Sequence, residues 1–351
     1  MRLTINGAEG ASQMRQVVVS DDYREVEIWP QDSFNRYLKI TEEEVERLFI
    51  DHGNLVAVNC PACNSDRNEP QFKKFGLQYV ECLDCQTLYI NPRPSEENLY
   101  RYFKESKAVE FWRTQVVQDS LKARIRYLFK PRAMWVANLA REFLESPDTL
   151  VDVNSMYEEF LSEIDSLNIF NTRLTINPMP GVTASLKDRF KVVDRPITSI
   201  TPGEINADVI TAFAVINRVF NPENFLRGIR NILRDKGMLF FTISTISGFD
   251  LQTLWENART IFPPESLNLP SIEGMGKLLA RCGFEVIELS TPGQLDLEVV
   301  KNTLRSNEKI KSPRFISYLI NHRGEDAHHA FQEFLQRFQL SSHVRVAARK
   351  R

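Results

Sequence analysis

Four of the five cysteines stand in two tight pairs, Cys60-Pro-Ala-Cys63 and Cys82-Leu-Asp-Cys85. Two such knuckles, held apart by the hairpin-like residues 64–81, can bring four thiolates tetrahedrally onto one zinc ion. Asn64 directly follows the first knuckle, where a left-handed residue is useful and Asn tolerates that conformation. A redox dithiol fits less well, because neither pair opens a helix in a thioredoxin-like unit. With Cys60, Cys63, Cys82 and Cys85 all ligating, the site is closed, so zinc here is expected to stabilise and not to catalyse. Cys282, in Arg-Cys-Gly-Phe, reads as a small core residue.

The second place to look for chemistry is residues 149–161, Thr-Leu-Val-Asp-Val-Asn-Ser-Met-Tyr-Glu-Glu-Phe-Leu, an apolar strand turning straight into a helix. In an open α/β sheet the first such turn is where a nucleotide-like cofactor sits, and glycines let the backbone approach it. Here Asn154, Met156 and Glu158 stand where glycines would. Ser155 and Glu158 have the spacing of a capping box, which would satisfy the helix amides that a ligand would otherwise use. Glu158 would also meet a cofactor carboxylate as a like charge. The expectation is a cofactor pocket that has been filled in.

The surrounding elements follow from periodicity and punctuation. Strands are expected at 149–153, 172–177, 190–193, 208–214, 237–244 and 284–290, with helices at 156–166, 222–235, 250–260 and 271–282. That alternation predicts a parallel, doubly wound sheet. Gly237 and Gly283 are expected as left-handed helix ends. A long helix near 326–339 precedes an alternating run, His343 to Lys350, that suits a last strand inserted at the sheet edge. Upstream, Gln16–Ser20 and Glu25–Trp29 are β-like, and Thr41-Glu-Glu-Glu44 reads as a helix start. Residues 72–80 and 87–90 read as β-structure, Asn91-Pro-Arg-Pro94 as a stiff connector, and 95–146 as helical with Pro131 opening a new helix. The division expected is an N-terminal extension (1–54), a zinc ribbon (55–94), a helical connecting region (95–147) and a Rossmann-like domain (148–351).

The 351 residues, 42% hydrophobic and 26% charged, have the composition of an ordinary globular chain. A formal net charge of −2 gives no electrostatic reason to expect nucleic acid or an anionic membrane as partner, which disfavours a zinc-ribbon nucleic-acid module. The longest apolar run, around 208–220, is broken by Asn217 and Arg218, so no membrane span is expected. Residues 1–10 lack the apolar core of a signal peptide, and a cytoplasmic location is the expectation.

The order of these features resembles a known family. A four-cysteine ribbon, then Asn-Pro-Arg-Pro, then a Rossmann-like half is similar to the class I S-adenosylmethionine-dependent methyltransferases with an N-terminal zinc ribbon, which act in sugar and surface-polysaccharide biosynthesis. The resemblance runs from about residue 56 onward and includes Phe129-Lys-Pro-Arg-Ala133, Asp208-Val-Ile-Thr-Ala-Phe213, Asn221-Pro-Glu-Asn-Phe225 and Ser290-Thr-Pro-Gly-Gln-Leu-Asp296. It implies S-adenosylmethionine as cofactor and places the cofactor-binding positions at Asp152, Asn154, Ser155, Met156, Glu158 and Asn177. All three glycines of the family's Asp-hydrophobic-Gly-x-Gly-x-Gly motif are absent, and Asn177 replaces the acid that would hold the ribose. Asn217-Arg218 replaces Glu-His, and Pro263-Pro264-Glu265-Ser266-Leu267 lacks the histidine of Pro-Pro-x-His-Leu. The five histidines, His52, His322, His328, His329 and His343, all lie elsewhere in the sequence.

No catalytic residue is therefore assigned. The expectation is a degenerate methyltransferase-fold protein with a structural or regulatory role, partnering an active homologue or another glycan enzyme. The alternative is an active C- or O-methyltransferase acting on a nucleotide-sugar or glycan. Lys122, Arg124, Arg126, Lys130 and Arg132 could grip phosphates of a nucleotide-sugar, but read as a solvated helix face with snorkelling stems. Tyr100, Tyr102, Phe103, Phe111 and Trp112 could line a sugar site, but read as core at helical spacing.

Overall fold

A seven-stranded mixed sheet organises the chain, in a computed structural model that describes residues 15–351 apart from Asp22, His52, Gly53 and residues 183–187. His52 and the N-terminal stretch 1–10 read above thus lie outside the described residues. In chain order the small strands are β1 (Leu55–Val56), β2 (Asn68–Lys74), β3 (Leu77–Cys82), β4 (Leu88–Ile90) and β5 (Arg93–Pro94). They are followed by β6 (Thr149–Val153), β7 (Thr172–Ile176), β8 (Lys191–Val193), β9 (Ala207–Phe213), β10 (Leu233–Ser244), β11 (Asn268–Leu269), β12 (Phe284–Ser290) and β13 (His343–Lys350). The large sheet runs β12-β13-β10-β9-β6-β7-β8, with β13 antiparallel to both of its neighbours. It is the expected α/β, Rossmann-like sheet, and β6 lies beside the central strand β9, where the chain reverses the direction in which it adds strands. β13 enters between β10 and β12, one place inside the edge expected for it.

Both faces are covered. Val151 and Val153 of β6 face helices Pro222–Ile232 and Ile272–Arg281, while Leu150 faces helices Lys130–Phe143 and Glu158–Ser166. Helix starts are chemically marked: Asn221 accepts from the Asn224 amide and Ser271 from the Gly274 amide. Gly283 is left-handed as expected, but Gly237 is not; the left-handed residue of that turn is Lys236. Gly237 is required by space instead, since a Cβ there would lie 2.9 Å from the Arg234 carbonyl oxygen. The helix read to 235 stops at Ile232, because Leu233 already pairs with Ala207 of β9.

The N-terminal expectations need correction. Gln16–Ser20 forms no strand; its amides at Val17 and Val19 donate to Ser290 and Gln336 side chains instead. Glu25–Ile28 is one turn of helix, because Glu27 folds back to accept from the Arg24 amide. Thr41 does not start a helix. It lies inside helix Gln31–Val45, which begins after Pro30, and its hydroxyl donates to the Tyr37 carbonyl. The apolar face that matters there is Phe34, Tyr37, Thr41 and Val45, all buried.

The ribbon region is built as a three-stranded antiparallel sheet, β2-β3-β4, to which β11 adds a fourth strand from far along the chain. Arg93 locks the two together. It is fully buried, with Nε donating to Ile90 O at 3.1 Å and Nη1 to Phe220 O and Asn268 Oδ1 at 2.8 and 2.9 Å. Among the described residues, no helix is long and apolar enough to cross a membrane.

Candidate functional site

The two cysteine knuckles converge. Each closes with a turn, Asn64 N–H to Cys60 O at 2.9 Å and Gln86 N–H to Cys82 O at 2.8 Å, and both Asn64 and Gln86 are left-handed. All four Sγ atoms lie within 4.8 Å of one another, compatible with a zinc ribbon. The thiols are crowded: contact with Cys85 and burial push the Cys60 thiol up, and the same contact pulls Cys85 down to about 4. A dication replaces such shared protons. The knuckles also dock on helix Ile272–Arg281: Arg281 Nη1 donates to Ala62 O and Lys277 Nζ to Asp84 O.

At the end of β6, Asp152 is buried and accepts from the Ser155 and Thr211 hydroxyls. Burial raises its carboxyl to about 6 against those two hydrogen bonds. Because Ser155 is spent on Asp152, the expected capping box does not form. The helix starts at Glu158, with Tyr157 as its uncapped N-terminal residue. Asn154 and Asn177 end β6 and β7 in left-handed conformations. Asn177 Nδ2 donates to Asn154 Oδ1 at 3.0 Å, while Asn177 Oδ1 is buried without a partner.

Asn154 and Met156 stand at the expected place, and a cleft remains open beside them. A cleft of about 400 Å³ opens at these strand ends, walled by Asn154, Met156, Asn177, Met179, Ile197, Thr198, Val215 and Phe225, with Tyr100 and Phe103 across from them. The two methionines line it without closing it. Of the six proposed cofactor positions, Asn154, Met156 and Asn177 line the cleft, while Asp152, Ser155 and Glu158 do not. Glu158 therefore does not meet a ligand carboxylate there. Burial, and then Glu159, raise its own carboxyl.

A second cavity, of about 200 Å³, lies deeper, beyond the ends of β9 and β10. Its walls include Trp29, Phe34, Tyr37 and Trp112, three arginines (Arg124, Arg132, Arg218), and Glu265, Ser266 and His343. The histidine expected to lie elsewhere thus faces this cavity: β13 pairs His343 with Ser244 at the end of β10. Burial, with the Arg132 and Arg345 charges, holds its imidazole down to about 3, so it is neutral at physiological pH. The basic stretch is a solvated face only in part: Lys122, Arg126 and Lys130 are exposed as expected, whereas Arg124 is 3% exposed and, with Arg132, points inward. Trp112 is likewise a cavity wall, whereas Tyr102 is core as read. The signal for Arg124, Arg132 and Trp112 was present in residue type; only tertiary packing distinguishes an inward from an outward helix face.

Among the described residues, Arg218 is the one that lines both cavities. Its guanidinium pairs with Glu265 at 2.7 Å, both side chains 14% exposed, and lies over the Phe103 ring. Its neighbour Asn217 is structural: it accepts from Ser244 N–H and donates to Ser244 O and Asn268 O. Ser266 turns its hydroxyl away to Thr260 O.

The lining tests the cofactor that the resemblance implies. The cleft has the volume of a ligand site. Asn177 Oδ1, an orphaned acceptor at its floor, could take a ribose hydroxyl, and Asn154 lies beside it. No carboxylate occupies that place, and Met156 adds bulk where the family has glycine.

Residues 124–289 match the family model of a methyltransferase domain. No curated protein matches the chain. Similar solved structures include a possible histamine N-methyltransferase from Thermotoga maritima, at 14% identity and TM-score 0.42, covering 68% of this chain and 98% of that one. A sarcosine dimethylglycine methyltransferase-like protein from Galdieria sulphuraria is similar at 16% identity and TM-score 0.42, covering 70% and 91%. A Haloferax volcanii methyltransferase complexed with the Trm112 activator is similar at 13% identity and TM-score 0.44, covering 69% and 96%. At these values the likenesses add nothing to what strand order already shows. The sheet is a methyltransferase fold.

Proposed function

We propose that the chain is a methyltransferase-fold protein that has lost methyl transfer and acts as a structural or regulatory partner of an active homologue or of another sugar or surface-glycan enzyme. The observation that carries the loss of transfer is Arg218. A methyl donor in the outer cleft would have to meet its acceptor through the wall that Arg218 forms with Glu265 and Phe103. A neutral, hydrogen-bonded Asn pair at the ribose position supports the same reading. The glycan setting rests on the sequence resemblance alone. The reading includes one structural zinc on Cys60, Cys63, Cys82 and Cys85, the division at 54, 94 and 147, and a cytoplasmic location.

The second reading is an active C- or O-methyltransferase acting on a nucleotide-sugar or glycan, and the open cleft of about 400 Å³ favours it. Calorimetric titration with S-adenosylmethionine and S-adenosylhomocysteine separates the two. Binding weaker than about 1 mM, a free energy of roughly −4 kcal/mol or less in magnitude, is expected. Micromolar binding by the wild-type protein would move the active enzyme to first place.

A further inference from the structure

The inner cavity holds more positive charge than its walls neutralise. Arg218 is answered by Glu265, but Arg124 and Arg132 have no ion-pair partner among the described residues. Arg124 meets neutral oxygens, Ser120 Oγ at 2.6 Å, Ile28 O at 2.7 Å and the Tyr157 hydroxyl, and lies over the Trp112 ring at 5.1 Å. Arg132 lies over the Phe213 ring, 5.4 Å from the centroid, near the Tyr157 and Tyr23 side chains, and makes no ion pair among the described residues. Glu159 acts on Arg124 at a distance and makes no hydrogen bond to it. Burial lowers both guanidinium groups, Arg132 to about 10, and a guanidinium stays protonated at neutral pH. Ring contacts offset part of the cost of burying a cation, and neutral oxygens another part, but an unpaired pair of cations in one cavity calls for an anion. A third donor waits beside them: the Trp112 indole N–H is buried with no acceptor.

The rest of the wall is aromatic. Tyr37 and Trp112 lie with ring centroids 4.9 Å apart, and Phe34 meets Trp112 edge-on at 6.4 Å. Such a wall takes the flat face of a ring. We propose that the inner cavity binds a compact organic anion, a phosphate or carboxylate carried on a ring, with Arg132 and Arg124 holding the anion and Trp112 and Tyr37 the ring. A cavity of about 200 Å³ has room for one ring and one anionic group. The site does not depend on whether the outer cleft takes S-adenosylmethionine.

The test is titration of the full chain at low ionic strength with phenyl phosphate, benzoate and inorganic phosphate. Phenyl phosphate or benzoate should bind at least tenfold more tightly than inorganic phosphate, and whichever of the two wins identifies the anion. Arg132→Gln should weaken that binding at least tenfold, while Arg126→Gln, on the exposed side of the same segment, should leave it within twofold. Should Arg132→Gln fail to fold, the wild-type protein supplies the answer. The His343 ring resonances should shift on saturation, and those of the exposed His322 and His329 should not. No binding of either ring anion at 10 mM, equal binding by Arg132→Gln, or saturation without a His343 shift would overturn the proposal.

Discussion

Asn177 donates its side-chain amide to the Asn154 carbonyl oxygen across 3.0 Å, tying together the residues that end the first two strands of the central sheet. Both sit in the left-handed region, at φ values of 48° and 53°. Glycine would hold that conformation without a side chain, and an acid at the second position would leave a charge for a ligand. The pair therefore consumes, within the protein, the Asn154 oxygen and an Asn177 N–H, and leaves Asn177 Oδ1 without a partner.

Undoing the pair should help the cofactor. Asn154→Gly with Asn177→Asp keeps the backbone and Asp152 while placing a carboxylate at the cleft floor. Affinity for S-adenosylmethionine should rise at least tenfold, about 1.4 kcal/mol. Methyl transfer should remain absent, since Arg218 and Glu265 still stand between the cavities. An unchanged titration in the double variant would show that the asparagines are not the obstacle.

One zinc per chain is expected from elemental analysis of reduced protein. Cys82→Ser should lose it and melt the ribbon locally, because metal binding and folding are coupled in so small a module. Hydrogen exchange should speed across 55–94 and in the helix Ile272–Arg281 that docks there, while β6 and β9 stay protected. Exchange that speeds equally everywhere would mean that the ribbon and the sheet are one cooperative unit.

Arg93 should be costly to remove. Arg93→Met leaves Ile90 O, Phe220 O and Asn268 Oδ1 short of a buried donor, for a loss of roughly 3 kcal/mol or more in urea denaturation. A loss below about 1 kcal/mol would show that water or relaxation replaces the guanidinium.

Asp152 predicts a pH dependence. Burial raises its carboxyl from 3.8 to about 6, so the folded state binds the proton more tightly than the unfolded chain. Its contribution is therefore fully favourable below about pH 4 and is lost as pH rises through 6. The shift corresponds to about 3 kcal/mol, of which about half should return between pH 7.5 and 5. Asp152→Asn should remove that part of the pH slope. Parallel slopes for the wild-type protein and the variant in paired urea melts would contradict the assignment.

Strand positions in the large sheet, the paired cysteines and most helix starts were legible because local chemistry decides them: Asn221 and Ser271 cap where they stand, and Pro30 could have been read as a start in the same way. What was not legible depends on partners distant in sequence. Ser155 has the spacing of a cap, but the buried Asp152 competes for its hydroxyl. Arg124 and Arg132 share a basic stretch with the exposed Arg126, and only packing separates them. His343 looked remote because its strand returns to pair with β10, one place inside the sheet edge.

That return has a cost in time. β12 touches the rest of the sheet through β13, and three helices, Asp296–Ser306, Arg314–His322 and Glu325–Arg337, are made between the two strands. On the ribosome, β10 must wait with one hydrogen-bonding edge open, and that strand carries Leu239, Phe240 and Phe241. An apolar open edge is a template for pairing with other nascent chains. The position of β13 thus makes the interval before its synthesis the aggregation-sensitive stage of biogenesis, whatever the stability of the finished fold.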